Sequence, residues 1–371
     1  MGASFLSDAH LALRARAREA FAALEPVAHQ DDAALARAVA ATGFYPYLVP
    51  AEFGGALPRL DVLSVCVLRE ELASRNAAAD SLFAVQGLGS HPVVLAGSDE
   101  QRRALLPRVA QGAILFAFAL TEPEAGSDVA ALATTARRDA DGYVLDGHKR
   151  FISNAGVATH YTVFARTGEG PRGLSAFVVP ADAPGFRVTR QMALLGEHPI
   201  GELQLSGCRV PASARLGDEG GGMKLALSTL DVFRSTVGAA AVGMARRALD
   251  EALSYAKSRR QFGAPLAELS AVQALLADSA VELEASRLLV HQAALTKDQG
   301  QARITYEAAV AKLFSTEAAQ RIVDRCLQVH GGNGVVKGFA VERLYRDVRA
   351  LRIYEGASEV QRLVIARHLL G

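Results

Sequence analysis

The stretch Gly220–Arg260, GGGMKLALSTLDVFRSTVGAAAVGMARRALDEALSYAKSRR, decides the fold. Its apolar residues recur at helical spacing over the whole length, so it reads as one long helix. Small residues in its middle, Gly238, Ala239, Ala240 and Gly243, let a second helix come close. Two similar runs follow, Leu266–Asp298 and Arg303–His330, and a short helix closes the chain. Three helices of about thirty residues and a shorter fourth predict a four-helix bundle over residues 221–371.

Upstream the pattern changes. Residues 113–220 hold short β-branched and aromatic runs: AILFAFAL (113–120), GYVLDGHKRFI (142–152), HYTVFART (160–167), LSAFVVP (174–180), GFRVTR (185–190) and GELQLSGCRVP (201–211). Turn signals such as Asp141-Gly142, GEGPRG and ADAPG separate them. They predict a small antiparallel β-domain, a barrel or a sandwich. Residues 1–112 are rich in Ala, Leu, Arg and Glu and predict four to six helices, broken by the Gly/Pro loop at 42–59. The fold class is mostly α with a central β-domain, and sites are expected where the β block meets the bundle.

Composition narrows the function. The chain has 371 residues, half of them apolar, and a formal charge of +1 with both signs interspersed. Such a surface does not track phosphates, so no nucleic-acid partner is expected. Cys66, Cys208 and Cys326 are far apart and form no CxxC, which fits reduced thiols and a cytoplasmic location. The nine histidines show no ligand spacing, so no metal is expected. The start mixes Arg and Asp into a helical pattern instead of a leader's apolar core. The longest apolar run, 113–120, is too short to span a bilayer, and no membrane partner is expected.

Five short stretches carry chemistry. ALTEPEAGSD (119–128) follows an apolar strand and offers the Thr121 and Ser127 hydroxyls with backbone N–H groups around Gly126. KRFISNAG (149–156) offers a flat ring at Phe151 and a donor at Ser153. SRRQFG (258–263) puts Arg259 and Arg260 at a helix end, where they cap the dipole or hold a phosphate. QVHGGNGVVKG (328–338) has more glycines than one helix cap needs, and is neither a dinucleotide fingerprint nor a P-loop. Last, Glu355 stands between Tyr354 and Gly356, just ahead of a helix that Ser358 and Gln361 open as a capping box. It is a dipole-stabilised surface carboxylate or a general base in an apolar pocket. Taken singly, the first three stretches have a plain structural reading as turn, strand or cap.

Together, in this order, they resemble the acyl-CoA dehydrogenase family from about Leu35 to Leu370. LTEPEAGSD, KRFISNAG, RRQFG and the long QVHGGNG…VERLYRDVRALRIYEGASEVQRLVIAR carry the likeness. The resemblance implies an N-terminal helical domain, a middle β-domain and a C-terminal four-helix bundle, with FAD between the last two. It implies α,β-desaturation of an acyl-CoA thioester: Glu355 takes the α-proton and the β-hydrogen leaves as hydride to flavin N5. The Glu355 N–H, with a flavin ribityl hydroxyl in the family, would polarise the thioester carbonyl. Phe233 stands where some members carry the base instead, so Glu355 has no rival there.

Other roles follow from the resemblance position by position. Phe118, Leu120, Thr121 and Ser127 would meet the flavin, Ser127 also the pantetheine; Phe151 and Ser153 would cover the ring, and Ile152 would bind the cofactor. Arg259, Gln261 and Phe262 would reach the FAD of a neighbouring subunit, with Ser270 nearby. Gln328, Gly331 and Gly332 would contact its adenosine half, and Ala357 and Glu359 would also touch the cofactor. Asp231, Arg234, Tyr354 and Gly356 would bind substrate, Gly356 by allowing it close. The resemblance favours a homotetramer, with a dimer also compatible, and electron-transfer flavoprotein as acceptor. Departures exist: Phe151 for a frequent Trp, Ser153 for Thr, Ala357 for Thr and Ser270 for Gln. An acyl-CoA oxidase, an acyl-carrier-protein dehydrogenase and a non-catalytic flavin-containing binding protein are the alternatives.

Overall fold

The computed structural model describes residues 5–25 and 31–371. Met1–Ser4, the first residues of the start read as leaderless, lie outside it, as do residues 26–30. The N-terminal block is helical: α1 (Asp8–Ala22), α2 (Asp32–Ala41), α3 (Val62–Ala73), α4 (Ala77–Ala96) and α5 (Asp99–Ala110). Each opens on a residue whose side chain accepts an amide of the first turn: Ser7, Asp31, Asp61, Asn76 and Ser98. Every residue of α3 is buried. Its Glu70 and Glu71 are met by Arg14 and Arg18 from α1 and by Arg246 and Arg287 from the C-terminal domain. Asp298, far along the chain, accepts the Val62 and Leu63 amides at 2.8 and 2.9 Å.

The middle domain is one sheet: β1 (Phe116–Ala119), β2 (Thr135–Asp139), β3 (Gly142–Ser153), β4 (His160–Arg166), β5 (Leu174–Pro180), β6 (Phe186–Gln191), β7 (Ile200–Pro211) and β8 (Arg215–Leu216). The spatial order is β6-β7-β3-β2-β4-β5-β8, with β1 beside β4. The expectation of antiparallel pairing throughout is corrected here. β1 runs parallel to β4, from Phe116 opposite His160 to Ala119 opposite Val163. The β2–β3 hairpin lies between them in sequence and supplies the crossover that parallel strands need. β2 escaped the sequence reading because TARRD has one apolar residue facing in.

α4 docks the sheet onto the helices. Gln86 accepts the Phe116 amide at 2.7 Å and donates to the Ile114 carbonyl at 2.8 Å, so α4 holds the entrance of β1. Thr162 donates to the Gly89 carbonyl at 2.7 Å. Gly89 has to be glycine: a Cβ there would come within 2.8 Å of the Phe116 side chain. β4 and β5 are therefore buried on both faces.

The C-terminal domain holds α6 (Gly222–Ser258), α7 (Ser270–Asp298), α8 (Thr305–His330), α9 (Ala340–Val348) and α10 (Ser358–Leu370). α6 packs against α7, α8 and α3, and α10 lies along α8. Gly243 of α6 meets the α3 backbone, where a Cβ would sit 2.1 Å from the Glu70 carbonyl oxygen. α6 is long and apolar enough to cross a bilayer, but 89% of its most apolar window is buried inside the protein. The bundle core explains its composition.

Candidate active site

A 3-10 turn at Arg349–Arg352 leads into Ile353, Tyr354, Glu355 and Gly356, and α10 begins at Ser358. Glu355 has φ +52° and Gly356 φ +96°. A left-handed Glu costs about 1–2 kcal/mol, so something must hold it. Three buried donors do. Arg234 Nε reaches the Glu355 carbonyl at 3.2 Å, and Lys312 Nζ and Gln361 Nε2 reach the Gly356 carbonyl at 2.7 and 2.9 Å.

This overturns the expected capping box. Ser358 is the first helical residue, not the cap, and its hydroxyl donates to Glu317 at 2.6 Å. Gln361 is turned back onto the Gly356 carbonyl by the left-handed pair before it. Gly356 also acquires a different reason. A Cβ there would lie 2.3 Å from Gln361 Nε2, so the missing side chain makes room for that amide. Arg234 and Asp231 are both buried, paired at 3.2 Å, and Thr305 donates to Asp231 at 2.6 Å. In this chain they support the turn from α6.

The Glu355 carboxylate is left poised. Its Oε2 is shielded from solvent and has no hydrogen-bond partner among the described residues. Burial pushes its carboxyl above the ordinary range, opposed by the charges of Arg69, Lys312 and Arg234 and reinforced by Asp80. Burial lowers the Lys312 ammonium to about 8, against the pull of Glu355. Among the described residues nothing accepts the Glu355 amide, so one backbone donor points from the same residue as the base. Phe233 is fully buried, edge-on to His91 at 5.7 Å.

On the β-domain the two predicted loops meet. The Arg150 amide donates to the Thr121 carbonyl at 2.9 Å. Lys149, wholly buried, ties Leu120 and Glu122 to the same strand at 3.1 and 2.8 Å. Glu122 in turn accepts the Ala133 and Thr134 amides. Phe151 has φ +57° and shows half its surface, with the Arg150 guanidinium 4.9 Å from its centroid. Phe118 packs on Phe164 at 4.9 Å, and Leu120 is buried. Ser127 is exposed. The Ile152 side chain is buried in the sheet's own core, which leaves its backbone to face a cofactor. Ser153 lies 3.3 Å from His198. Nearby, Leu195 accepts from Arg346 at 3.2 Å, which turns this edge of the sheet towards α9.

A cavity of about 520 Å³ opens elsewhere in the C-terminal domain. Arg259, Gln261, Gln328, Gly331 and Gly332, all singled out in the sequence, line it, with Tyr255 stacked on His330 at its wall. The Arg259 guanidinium lines it with no acidic partner among the described residues, and a Cβ on Gly331 or Gly332 would meet nothing. Phe262 stands at a hairpin tip, almost fully exposed and outside the lining, and Ser270 precedes the lining residues Ala271 and Val272. α8 carries both Lys312 and Gln328, so the cavity sits about 24 Å along that helix from the turn, at about 1.5 Å per residue. Ala357 and Glu359 stay with the turn.

Lys312, Arg69, Asp80 and Glu122 were missed. Lys312 is a lone charge in the apolar helical run AAVAKLFS, and Arg69 heads a charged triplet in SVCVLREEL; charge set into an apolar helical run was the available signal.

Comparison with known proteins gives the family. Three family profiles match: Acyl-CoA dehydrogenase, N-terminal domain (residues 7–113), middle domain (117–208) and C-terminal domain (220–370). The chain is 42% identical over 331 residues to cyclohexane-1-carbonyl-CoA dehydrogenase of Geobacter metallireducens, covering 88% of this chain and 87% of that protein. It is 39% identical over 379 residues to 3-(aryl)acrylate reductase of Clostridium sporogenes, covering 99% and 100%. Among solved structures, butyryl-CoA dehydrogenase of Megasphaera elsdenii superimposes with a TM-score of 0.94 at 34% identity, covering 99% of each chain. PigA, solved as an FAD complex, gives 0.91 at 27% identity, covering 98% of each chain.

Proposed function

Because the chain belongs to the acyl-CoA dehydrogenase family, we propose that Glu355 is the base with which it removes the α-proton of an acyl-CoA thioester. The family's activity makes it an oxidoreductase acting on CH–CH bonds. The observation that carries the assignment is the unpartnered, shielded Oε2 on a left-handed turn held by three donors. A carboxylate raised by burial is basic enough to take an activated α-proton. The free Glu355 amide is the donor for the thioester oxygen as charge develops there. Tyr354 lines the acyl side.

The residues present fit FAD. An unpaired Arg259 in an open cavity with bare glycine backbone suits a pyrophosphate and adenosine. The half-exposed Phe151 beside Thr121 and Ser153 suits a flat ring, and Ser127 is free to donate. When bound, FAD supplies the acceptor for the β-hydrogen and its electron pair. The 24 Å separation of about sixteen residues along α8 favours a cavity that serves a neighbouring subunit's cofactor, and hence an oligomer, for which we take a tetramer. Electrons would pass to an electron-transfer flavoprotein. Three buried free cysteines suit the cytoplasm.

The relatives act on alicyclic and aryl substrates by name, so the test panel includes cyclohexanecarbonyl-CoA and 3-phenylpropionyl-CoA beside straight chains. Anaerobic addition of the right acyl-CoA bleaches the flavin of the wild type. Glu355→Gln binds the same FAD and ligand and leaves the flavin oxidised. Bleaching by Glu355→Gln at the wild-type rate would remove Glu355 from the reaction.

A further inference from the structure

The buried pair of Arg69 on α3 and Asp80 on α4 has no part in the mechanism so far. Both are 1% exposed. Arg69 Nε and Nη2 donate to the two Asp80 oxygens at 2.9 and 2.7 Å, and Nη1 donates to Thr236 on α6 at 2.8 Å. The Thr236 hydroxyl in turn donates a hydrogen bond to the Phe233 carbonyl at 2.8 Å. The guanidinium is thus fixed from two helices, and it lies beside the Tyr354 phenol, next to Glu355.

Packing alone does not explain such a pair. Apolar residues of the same volume usually hold helices together as well or better, because burying two charges costs solvation. Its placement suggests a use. Four helices bring charge to the Glu355 carboxylate: α3 with Arg69, α4 with Asp80, α6 with Arg234 and α8 with Lys312. Arg234 and Lys312 are engaged with the backbone carbonyls of the turn. Arg69 does not touch Oε2, which has no hydrogen-bond partner among the described residues. A direct ion pair would quench the base, whereas a guanidinium set back and half-neutralised by Asp80 favours its charged form without occupying its lone pairs.

We propose that Arg69, clamped by Asp80 and Thr236, is a positioning residue that seats Tyr354 and counter-charges the Glu355 carboxylate from a distance. The proposal rests on reading Glu355 as the base. Asp80→Asn deletes the negative member and leaves Arg69 uncompensated. The double variant Arg69→Met with Asp80→Leu deletes both, and the loss of Arg69 dominates because it is the strongest of the charges acting on Glu355. Two readouts apply to each holoenzyme: the acid limb of kcat/KM, and the infrared titration of the carboxyl band that Glu355→Gln removes. Asp80→Asn moves both to lower pH, and the double variant moves both to higher pH. Opposite displacement is a signature that loosened packing does not give. Displacement in one direction by both variants, or none, overturns the proposal. Should Asp80→Asn not fold, the double variant decides: an unmoved or acid-shifted limb and band overturn it. If Glu355→Gln still reduces flavin, the base assignment fails, and the infrared titration alone still decides whether the pair acts on Glu355.

Discussion

Replacing Lys312 by Met tests how the turn is held, and its size follows from the structure. Lys312 is wholly buried, and its ammonium falls from 10.5 to about 8. The unfolded chain therefore holds this proton more tightly than the folded one. Between about pH 8 and about 10.5 the unfolded state binds more protons, so stability attributable to Lys312 rises with pH through that window. A displacement of that size corresponds to about 3 kcal/mol in all. Met removes the titration. The unfolding free energy of the wild type minus that of Lys312→Met should climb by ~3 kcal/mol over the window, read from urea unfolding at fixed protein and FAD concentrations. The same variant removes a positive charge near Glu355, so its kcat/KM should lose its acid limb at a higher pH than the wild type. A stability difference that is flat from pH 8 to 10.5 would refute the buried-ammonium reasoning, and an acid limb that moves down would refute the coupling to Glu355.

Three further outcomes are expected. Gly356→Ala places a Cβ against Gln361 on a residue at φ +96°, so it should cost ~1–3 kcal/mol in a thermal melt and slow flavin reduction markedly. Lys149→Met leaves the buried Glu122 without its cation, for a loss of ~3–5 kcal/mol, and weakens FAD retention because the Thr121 loop is tied to the same strand. Arg259→Ala should lower bound FAD most at low protein concentration, where an oligomer dissociates; equal FAD occupancy at every concentration would contradict the shared cavity.

The long helices were legible because each is amphipathic over many turns, and the β-domain because turn residues punctuate it. Motif and spacing single out Glu355, Arg259 and Gln328, and the structure places the last two in one cavity. What stayed hidden depends on partners distant in sequence. Arg69 and Lys312 look like ordinary charges until α4 and the 355–356 turn are folded over them. The Ser358–Gln361 pattern has the right letters for a capping box, but a left-handed Glu355 redirects both side chains. β2, with one inward apolar residue, is a strand because β3 pairs with it from Thr135 to Asp139.

Asp298, at the end of α7, accepts the first two amides of α3. Its partners lie 236 and 235 residues earlier in the chain. During synthesis α3 emerges long before α7, and its entrance stays unfinished until the C-terminal domain is made. Glu70 and Glu71, already met by Arg14 and Arg18 of α1, gain Arg246 and Arg287 only then. The N-terminal helical block thus completes its packing only after the C-terminal domain is made, and a chain truncated before Asp298 leaves the Val62 and Leu63 amides without their acceptor.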